Sequence, residues 1–326
     1  MNTAVNKEAR RYRAKNASLK FGLSVFRTFI LVGLSFVILF PLFNLITSSF
    51  KFSEEYFDAT VIWFTKNPTM ENFQNAFKAL RFFKSLWNTV KSSLPAVLFQ
   101  LLSCAMAGYG FARYKFPCKK ILFAVLIFLI IVPPQVITIP TFVYYRNFDF
   151  LGIAQLVEWI SGYDIRVSIL DTVWCTYLPA LFGCGLRASL FIYIFNQFFK
   201  GLPKDLEEAA AIDGCNSLKT FFVIMLPNAM PVIVTVLIFS IVWYYNDTYI
   251  SGIFMTNSKT LAMSLMTVPD TLSTMSLSNQ LVMSDPYKGN LAIQAAALIY
   301  LIPPLLIYLP LQKFFVENID RTGIVG

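Results

Sequence analysis

Five stretches of this chain run for more than 20 residues without an Asp, Glu, Lys or Arg: 28–50, 92–112, 121–145, 220–246 and 289–312. A sixth, 172–199, is interrupted only by Arg187. A helix needs about 20 apolar residues, rising about 1.5 Å each, to cross the hydrocarbon core of a bilayer. In lipid the backbone must satisfy its own polar groups, so runs of this length and apolarity read as helices. The expected fold is therefore an all-α membrane protein with six transmembrane helices. The runs hold most of the apolar residues, which make up 56% of the 326, and leave no room for a large soluble domain.

The basic segment ahead of the first run, "MNTAVNKEARRYRAKNASLKFG", resembles the start of a signal peptide. The apolar run after it is too long for one and lacks a small-residue cleavage site, so it reads as a retained anchor. With the amino terminus inside, the inner segments (1–22, 113–120, 200–219, 313–326) carry 15 Lys and Arg in 64 positions. The outer segments (48–85, 146–171, 247–290) carry 9 in 108. That bias puts both termini in the cytoplasm. The net charge of +9 is then a topological signal, and nucleic-acid binding is not expected. The expected organisation is a basic tail at 1–22, a six-helix domain at 23–315 and a cytoplasmic tail at 316–326.

Several chemistries lack their residues. Histidine, the commonest general base and metal ligand, is absent. The five cysteines, at 104, 118, 175, 184 and 215, form no C-x-x-C pair and read as small apolar fillers. No catalytic residue, metal site or cofactor is expected. No G-x-x-x-x-G-K-[ST] or G-x-G-x-x-G loop occurs, so if the chain moves a solute uphill another protein must supply the energy.

Prolines recur inside the runs, at 41, 95, 133, 134, 140, 231, 303, 304 and 310. Each removes a backbone donor and tends to kink a helix, a pattern that favours a transport bundle. Of the outer segments, the first holds an amphipathic stretch, "NPTMENFQNAFKALRFFKSLWNTV", expected to lie on the membrane surface or against the bundle. The second has a helical pattern through Leu156, Val157 and Ile160. The third is rich in Ser, Thr and Met.

Against this background "LPKDLEEAAAIDG" (202–214) is unusual, because its charge sits between two apolar runs on the cytoplasmic side. Pro203 suits a first helical turn, Asp205, Glu207 and Glu208 suit the positive end of the helix dipole, and Gly214 can take the left-handed conformation that ends a helix. A second helix is expected from Asn216 or Ser217 to the Leu226-Pro227 break. The first helix, of about ten residues and about 15 Å, is too short to persist alone. Its alanines let another surface approach, Leu206 and Ile212 offer apolar anchors, and the acids offer pairing for Lys or Arg. A solvated loop helix is the alternative reading.

The longer stretch "LPKDLEEAAAIDGCNSLKTFFVIMLPNAMP" closely resembles the EAA loop of ABC importer permeases, in the form found in carbohydrate importers of the maltose type. "TLAMSL", after Tyr245-Asn246-Asp247, and the terminal "QAAALIYLIPPLLIYLPLQKFFVENIDRTGIVG" resemble further segments of that family, so the likeness covers nearly the whole chain. It implies the type I importer permease fold, with the EAA coupling loop at about 200–227 seated in a cleft of an ATPase subunit. By position, Glu207, Glu208, Ala209, Ala210, Asp213 and Gly214 would form the coupling element, and the tail from Phe314 to Gly326 would approach the ATPase pair. The implied partners are a second homologous permease subunit, two copies of the ATPase, which carry ATP and Mg, and an extracytoplasmic sugar-binding protein. The implied location is the bacterial inner membrane. Two departures stand out: the tail lacks the family's lysine before its last glycine, and 151–171 is longer than usual.

Arg187 is the one charge deep in an apolar run, about 20 Å from the cytoplasmic end at Lys200. Such a charge normally faces a bundle interior or water-filled path. It is expected to line or gate the path, paired with Asp171 or Asp247, against the alternatives of a structural ion pair or a side chain snorkelling to the outer interface. Asn246 and Asp247 are the other path candidates. Competing readings are the same machine with a non-sugar cargo, a self-contained secondary transporter, and a membrane assembly protein. A secondary transporter would typically place acidic or His relays in its spans, which hold none.

Overall fold

The computed structural model describes the backbone of residues 2–58, 60–61, 63–277 and 286–322, and the side chains of 20–58, 60–61, 63–276 and 287–313. The chain is helical, with one isolated antiparallel bridge, Phe148 to Val167, among the described residues. In order the helices are α1 (Asn2–Phe50), α2 (Glu71–Leu80), α3 (Phe82–Arg113), α4 (Lys119–Ile131), α5 (Gln135–Arg146), α6 (Ile153–Ser161), α7 (Trp174–Leu181) and α8 (Ala188–Gly201). They continue as α9 (Asp205–Ile212), α10 (Ser217–Thr220), a π turn (Phe221–Met225), α11 (Leu226–Asn228), α12 (Met230–Asn246), α13 (Tyr249–Phe254), α14 (Leu261–Met266), α15 (Val268–Leu277) and α16 (Pro286–Thr322).

Three apolar runs fold as unbroken membrane-length helices, over Lys20–Phe50, Phe82–Arg113 and Tyr287–Lys313. Pro41, Pro95, Pro303, Pro304 and Pro310 lie inside these helices without dividing them. Two more runs are bent pairs rather than straight spans. The 121–145 run turns by 103° between α4 and α5. Its corner is Val132, in extended conformation (φ −65°, ψ 121°), because the residue before a proline is pushed out of the helical region. The 220–246 run turns by 78° between Asn228 and Met230. Pro231 there has no N–H to give the Pro227 carbonyl and its ring crowds that carbonyl.

The sixth run departs further from expectation. It is not one helix but two short ones, α7 and α8, joined through residues 182–187. Gly183 takes the left-handed conformation (φ 68°). At Gly185 a Cβ would fall 2.2 Å from Gln100 Oε1 and 2.6 Å from the Tyr244 hydroxyl, so only glycine lets this link pass through the bundle. Arg187 is consequently not deep in a helix. It stands at the junction, with φ 60°, immediately before α8.

Packing centres on α3, whose most extensive contact is with α8. Cys104, Ala105 and Gly108 of α3 meet Phe191, Phe195 and Phe199, all buried. A Cβ at Gly108 would come 2.5 Å from the Phe195 Cβ and 3.0 Å from the Asn196 nitrogen. Lipid gives helices no hydrophobic drive to associate, so close approach over small residues holds the seam together. A second core joins α2, α14, α15 and α16 through Ala76, Leu80, Leu261, Ala292 and Ala296. The amphipathic stretch of the first outer segment is thus part of the bundle, not a surface layer. The outer pattern through Val157 folds as α6, where Arg166 reaches Glu158 at 2.6 Å. In the 51–70 loop, Glu55 is buried and accepts from the Thr65 hydroxyl and the backbone of Lys66 and Asn67. These bonds, that of Thr65 foremost, hold its carboxyl below the ordinary range.

With 32 residues, α3 is about 48 Å long. Its first turns bond to the 259–264 segment through Ser85, Asn88 and Thr89. Its last turn bonds to Leu202 and Glu207. The 259–264 segment, expected outside, and Leu202 and Glu207, expected in the cytoplasm, thus meet opposite ends of this rod.

Candidate functional site

The acidic segment forms an eight-residue helix, α9, two residues shorter than expected because Pro203 lies ahead of it rather than in its first turn. Asp205, Glu207 and Glu208 occupy that first turn. The helix ends in a paired cap: Cys215 N–H reaches the Ala210 carbonyl at 2.9 Å and Gly214 N–H reaches Ala211 at 3.1 Å. This Schellman arrangement needs a left-handed residue, and Gly214 supplies it with φ 76°. Two residues on, the Asn216 side chain caps α10 by accepting from Lys219 N–H at 2.8 Å. The expected second helix therefore begins at Ser217, and α10, the π turn and α11 carry it to Asn228.

One side of α9 is anchored and the other is bare. Glu207 accepts a 2.6 Å hydrogen bond from the Tyr109 hydroxyl and lies 3.5 Å from Arg113 Nε. Arg113 also donates at 2.7 Å to the Leu202 carbonyl, and Ala210 is buried. Glu208, Ala209, Asp213 and Gly214 are exposed. So are Ile212 (87%) and Leu218 (62%), large apolar side chains beside a charged loop. Of the six residues read as a coupling element, two hold the helix to the bundle and four present a surface. Tyr109 and Arg113 had no place in the sequence reading, although Arg113 is the basic residue that ends the second apolar run.

At another level of the bundle lies a cavity of about 410 Å³. It is bounded by the α4–α5 corner, the α7–α8 link and α13, through Pro133, Thr138, Gly183, Arg187, Asp247 and Phe254 among others. Both Arg187 and Asp247 line it, but the structure does not pair them. Asp247 caps α13, accepting from the Ile250 and Ser251 amides and the Ser251 hydroxyl. Asp171 accepts from Thr256 and from the backbone and side chain of Asn257. With both carboxylates engaged, the exposed Arg187 guanidinium sits over the Trp243 ring at 5.7 Å, a cation–π contact. Asn246 does not line the cavity: it donates to the Val242 carbonyl and accepts from the Tyr300 hydroxyl at 2.7 Å.

The α7–α8 link is held by a ring of hydrogen bonds that the sequence did not announce. Tyr244 donates to Gln100 Oε1 at 2.7 Å, Gln100 Nε2 donates to the Leu186 carbonyl at 2.8 Å, and Leu186 N–H donates to the Tyr244 hydroxyl at 3.3 Å. Gln100 is fully buried, and an amide in the middle of an apolar run is the signal that could have pointed to it. Among the described residues no cluster of three or more His, Cys, Asp or Glu could hold a metal. The phenylalanines of the α3–α8 seam are packing, and the aromatic residues that line the cavity are Tyr145, Tyr244 and Phe254.

Comparison with known proteins gives a consistent picture. The family described as binding-protein-dependent transport system inner membrane component matches residues 101–321. The arabinooligosaccharides transport system permease protein AraQ of Halalkalibacterium halodurans is 27% identical over 297 residues, covering 90% of this chain and 93% of that one. The osmoprotective compounds uptake permease protein GgtD of Synechocystis sp. is 28% identical over 325 residues, covering 98% of each. Among solved structures, a chain of a bacterial ABC transporter involved in the import of the acidic polysaccharide alginate superposes with a TM-score of 0.69 at 16% identity, covering 90% of this chain and 96% of that one. At that identity the likeness speaks for the fold.

Proposed function

Because this chain belongs to the family of binding-protein-dependent transport system inner membrane components, we propose that it is the permease subunit of an ATP-driven importer of sugars or oligosaccharides. It sits in a bacterial inner membrane with both termini cytoplasmic and crosses six times: three straight helices, two bent pairs and the α7–α8 pair. Its partners are a second homologous permease, two copies of an ATPase subunit that hold ATP and Mg, and an extracytoplasmic sugar-binding protein. This chain catalyses no reaction itself.

The observation that carries the reading is the split character of α9. Glu207 ties it to the end of α3 while Glu208, Ala209, Ile212 and Asp213 stand outward beside Leu218. An eight-residue helix on an otherwise bare surface gains from being covered, and small side chains flanked by acids and an isoleucine suit a basic, partly apolar cleft. Closure of an ATPase pair around it would push on α3 through Glu207, Tyr109 and Arg113. The push would be felt at Gln100, nine residues up the same helix, or about 14 Å, which clamps the cavity rim.

The cavity is the path at the centre of this motion, with Arg187 and Asp247 as its charged lining. Arg187→Lys keeps the charge but loses the planar fork that spreads over Trp243. Uptake should fall several-fold with the subunit present in normal amount, and unchanged uptake would remove Arg187 from the path. A saccharide cargo is supported by the arabinooligosaccharide relative and by the form of the acidic loop. The osmoprotective-compound relative favours a second reading, a non-sugar solute. Gentle extraction of the tagged chain from its native membrane, with mass spectrometry of what accompanies it, tests the assembly. A second permease, a P-loop ATPase and a binding protein are expected, and the solute that protects the binding protein from heat decides between cargoes. Recovery of the chain alone, transporting without ATP, would overturn the proposal.

A further inference from the structure

At the end of α3 remote from α9, a second cavity of about 310 Å³ opens between the first two turns of α3 and the 256–271 segment. It is unlike the first. Arg81, Lys84 and Lys259 line it, and no carboxylate does. None of the three takes part in the ion pairs found among the described residues. The Asp171 carboxylate bonds to Thr256 and Asn257 of the same loop without lining the cavity. Three like charges around one concavity raise its potential, and an anion entering it relieves their repulsion.

The position of the cavity says which anion. Lys84 and Asn88 lie one turn apart on one face of α3, and Arg81 stands immediately before it with φ 45°. The neighbouring face carries Phe83 (79% exposed) and Trp87 (66% exposed), then Val90, Leu94 and Leu98, all exposed and apolar. An exposed apolar stripe of this kind suits acyl chains, and a tryptophan one turn from its end suits the level of the head groups. The floor is already satisfied: Ser85 donates to the Leu80 carbonyl and shares a 2.8 Å bond with Ser264. The first turn of α3 adds backbone donors and the positive end of the helix, and no side chain caps it.

We propose that this cavity binds a phosphate group, supplied by the head group of a membrane lipid whose chains lie along the Phe83–Leu98 stripe. A free phosphate ion offers the same chemistry, and the test separates the two. The full-length complex, extracted in mild detergent, is titrated with phosphatidylglycerol and followed by native mass spectrometry. One lipid should be retained. Its affinity should fall about fivefold per cation removed, hence about 25-fold in the Lys84→Gln/Lys259→Gln pair. The Lys84→Arg/Lys259→Arg pair should restore it, and Lys91→Gln, on the same helix but outside the cavity, should not change it. If inorganic phosphate binds with the same dependence on Lys84 and Lys259 and displaces the lipid, the phosphate site stands with a soluble source. Equal retention of lipid by wild type and the Gln pair, with no phosphate binding to either, would overturn the proposal. So would a Gln pair that loses only its hold on the binding protein, which would make the cavity a protein-docking site.

Discussion

The two ends of the proposed coupling route are built on opposite principles. At α9 the backbone is regular and locally determined: a run of acids starts the helix, a glycine in the left-handed conformation ends it, and an asparagine starts the next. One side chain, Glu207, connects it to the bundle. At the cavity the backbone is irregular, with an extended Val132 at one corner and left-handed Gly183 and Arg187 in the link. That irregularity is held by buried tertiary contacts to Gln100 and Tyr244. Non-helical backbone at membrane depth survives only where protein or an aqueous cavity covers it. The cavity end therefore depends on the whole bundle, whereas α9 takes its start and stop from its own sequence and leans on the bundle through Glu207 and Ala210. The difference suits their proposed tasks, since a docking knob must keep its shape while a gate must have more than one.

Two glycines break this comparison most directly. Gly108→Val should have the largest effect, because its Cβ would meet the Phe195 Cβ and the backbone of Ile192 and Asn196 at 2.5–3.0 Å. Backbone cannot retreat as a flexible side chain can, so the cost should lie at or above the upper end of the usual overpacking range of about 1–3 kcal/mol. The seam should open and little monodisperse protein should survive extraction, as judged by size-exclusion chromatography. Gly214→Val comes next. There is open space around Gly214, so the penalty is conformational and local: a β-branched residue resists φ 76°. The subunit should reach the membrane and extract normally, and ATP should still be hydrolysed, but solute moved per ATP should fall toward background. A wild-type ratio would refute the coupling role of this loop.

The contrast also explains what could be read from the sequence. Caps and membrane-length runs are local properties, and the apolar stretches of α1, α3 and α16 and the α9–α10 turn followed from residue types at their positions, although α3 begins at Phe82, inside the segment expected outside the membrane. The breaks were only half legible. Prolines occur in eight of the described helices, yet Pro133 and Pro134 turn the chain by 103° while Pro95 and Pro303 leave theirs undivided. The outcome depends on whether neighbouring helices hold the freed backbone, which no local pattern states. Arg187 was misplaced for the same reason. Its run is apolar enough to span, but Gly183 and Gly185 thread a space fixed by Gln100 and Tyr244, each more than 50 residues away. The expected pairing with Asp171 or Asp247 failed because both carboxylates bond to donors close at hand, a competition that charge counting does not see.

Two tyrosines give the finest test, because the same deletion of a hydroxyl can be made where the chain bonds to Gln100, midway along α3, and where it bonds to Glu207 at the end of α3. Tyr244→Phe removes a donor from the fully buried Gln100 and an acceptor from Leu186 N–H, which should cost about 1–3 kcal/mol. Thermal unfolding of the purified chain should show it as a drop of several degrees. Tyr109→Phe removes a hydrogen bond from Glu207, whose side chain is 24% exposed and still has Arg113 nearby. Water can take the vacated position, so the loss of stability should be under about 1 kcal/mol. Its effect should appear instead in solute moved per ATP, reduced a few-fold with little change in melting temperature. If Tyr109→Phe lowered stability as much as Tyr244→Phe and left coupling intact, α9 would be an ordinary part of the bundle, and the contrast between a locally shaped knob and a cavity held by the whole fold would collapse.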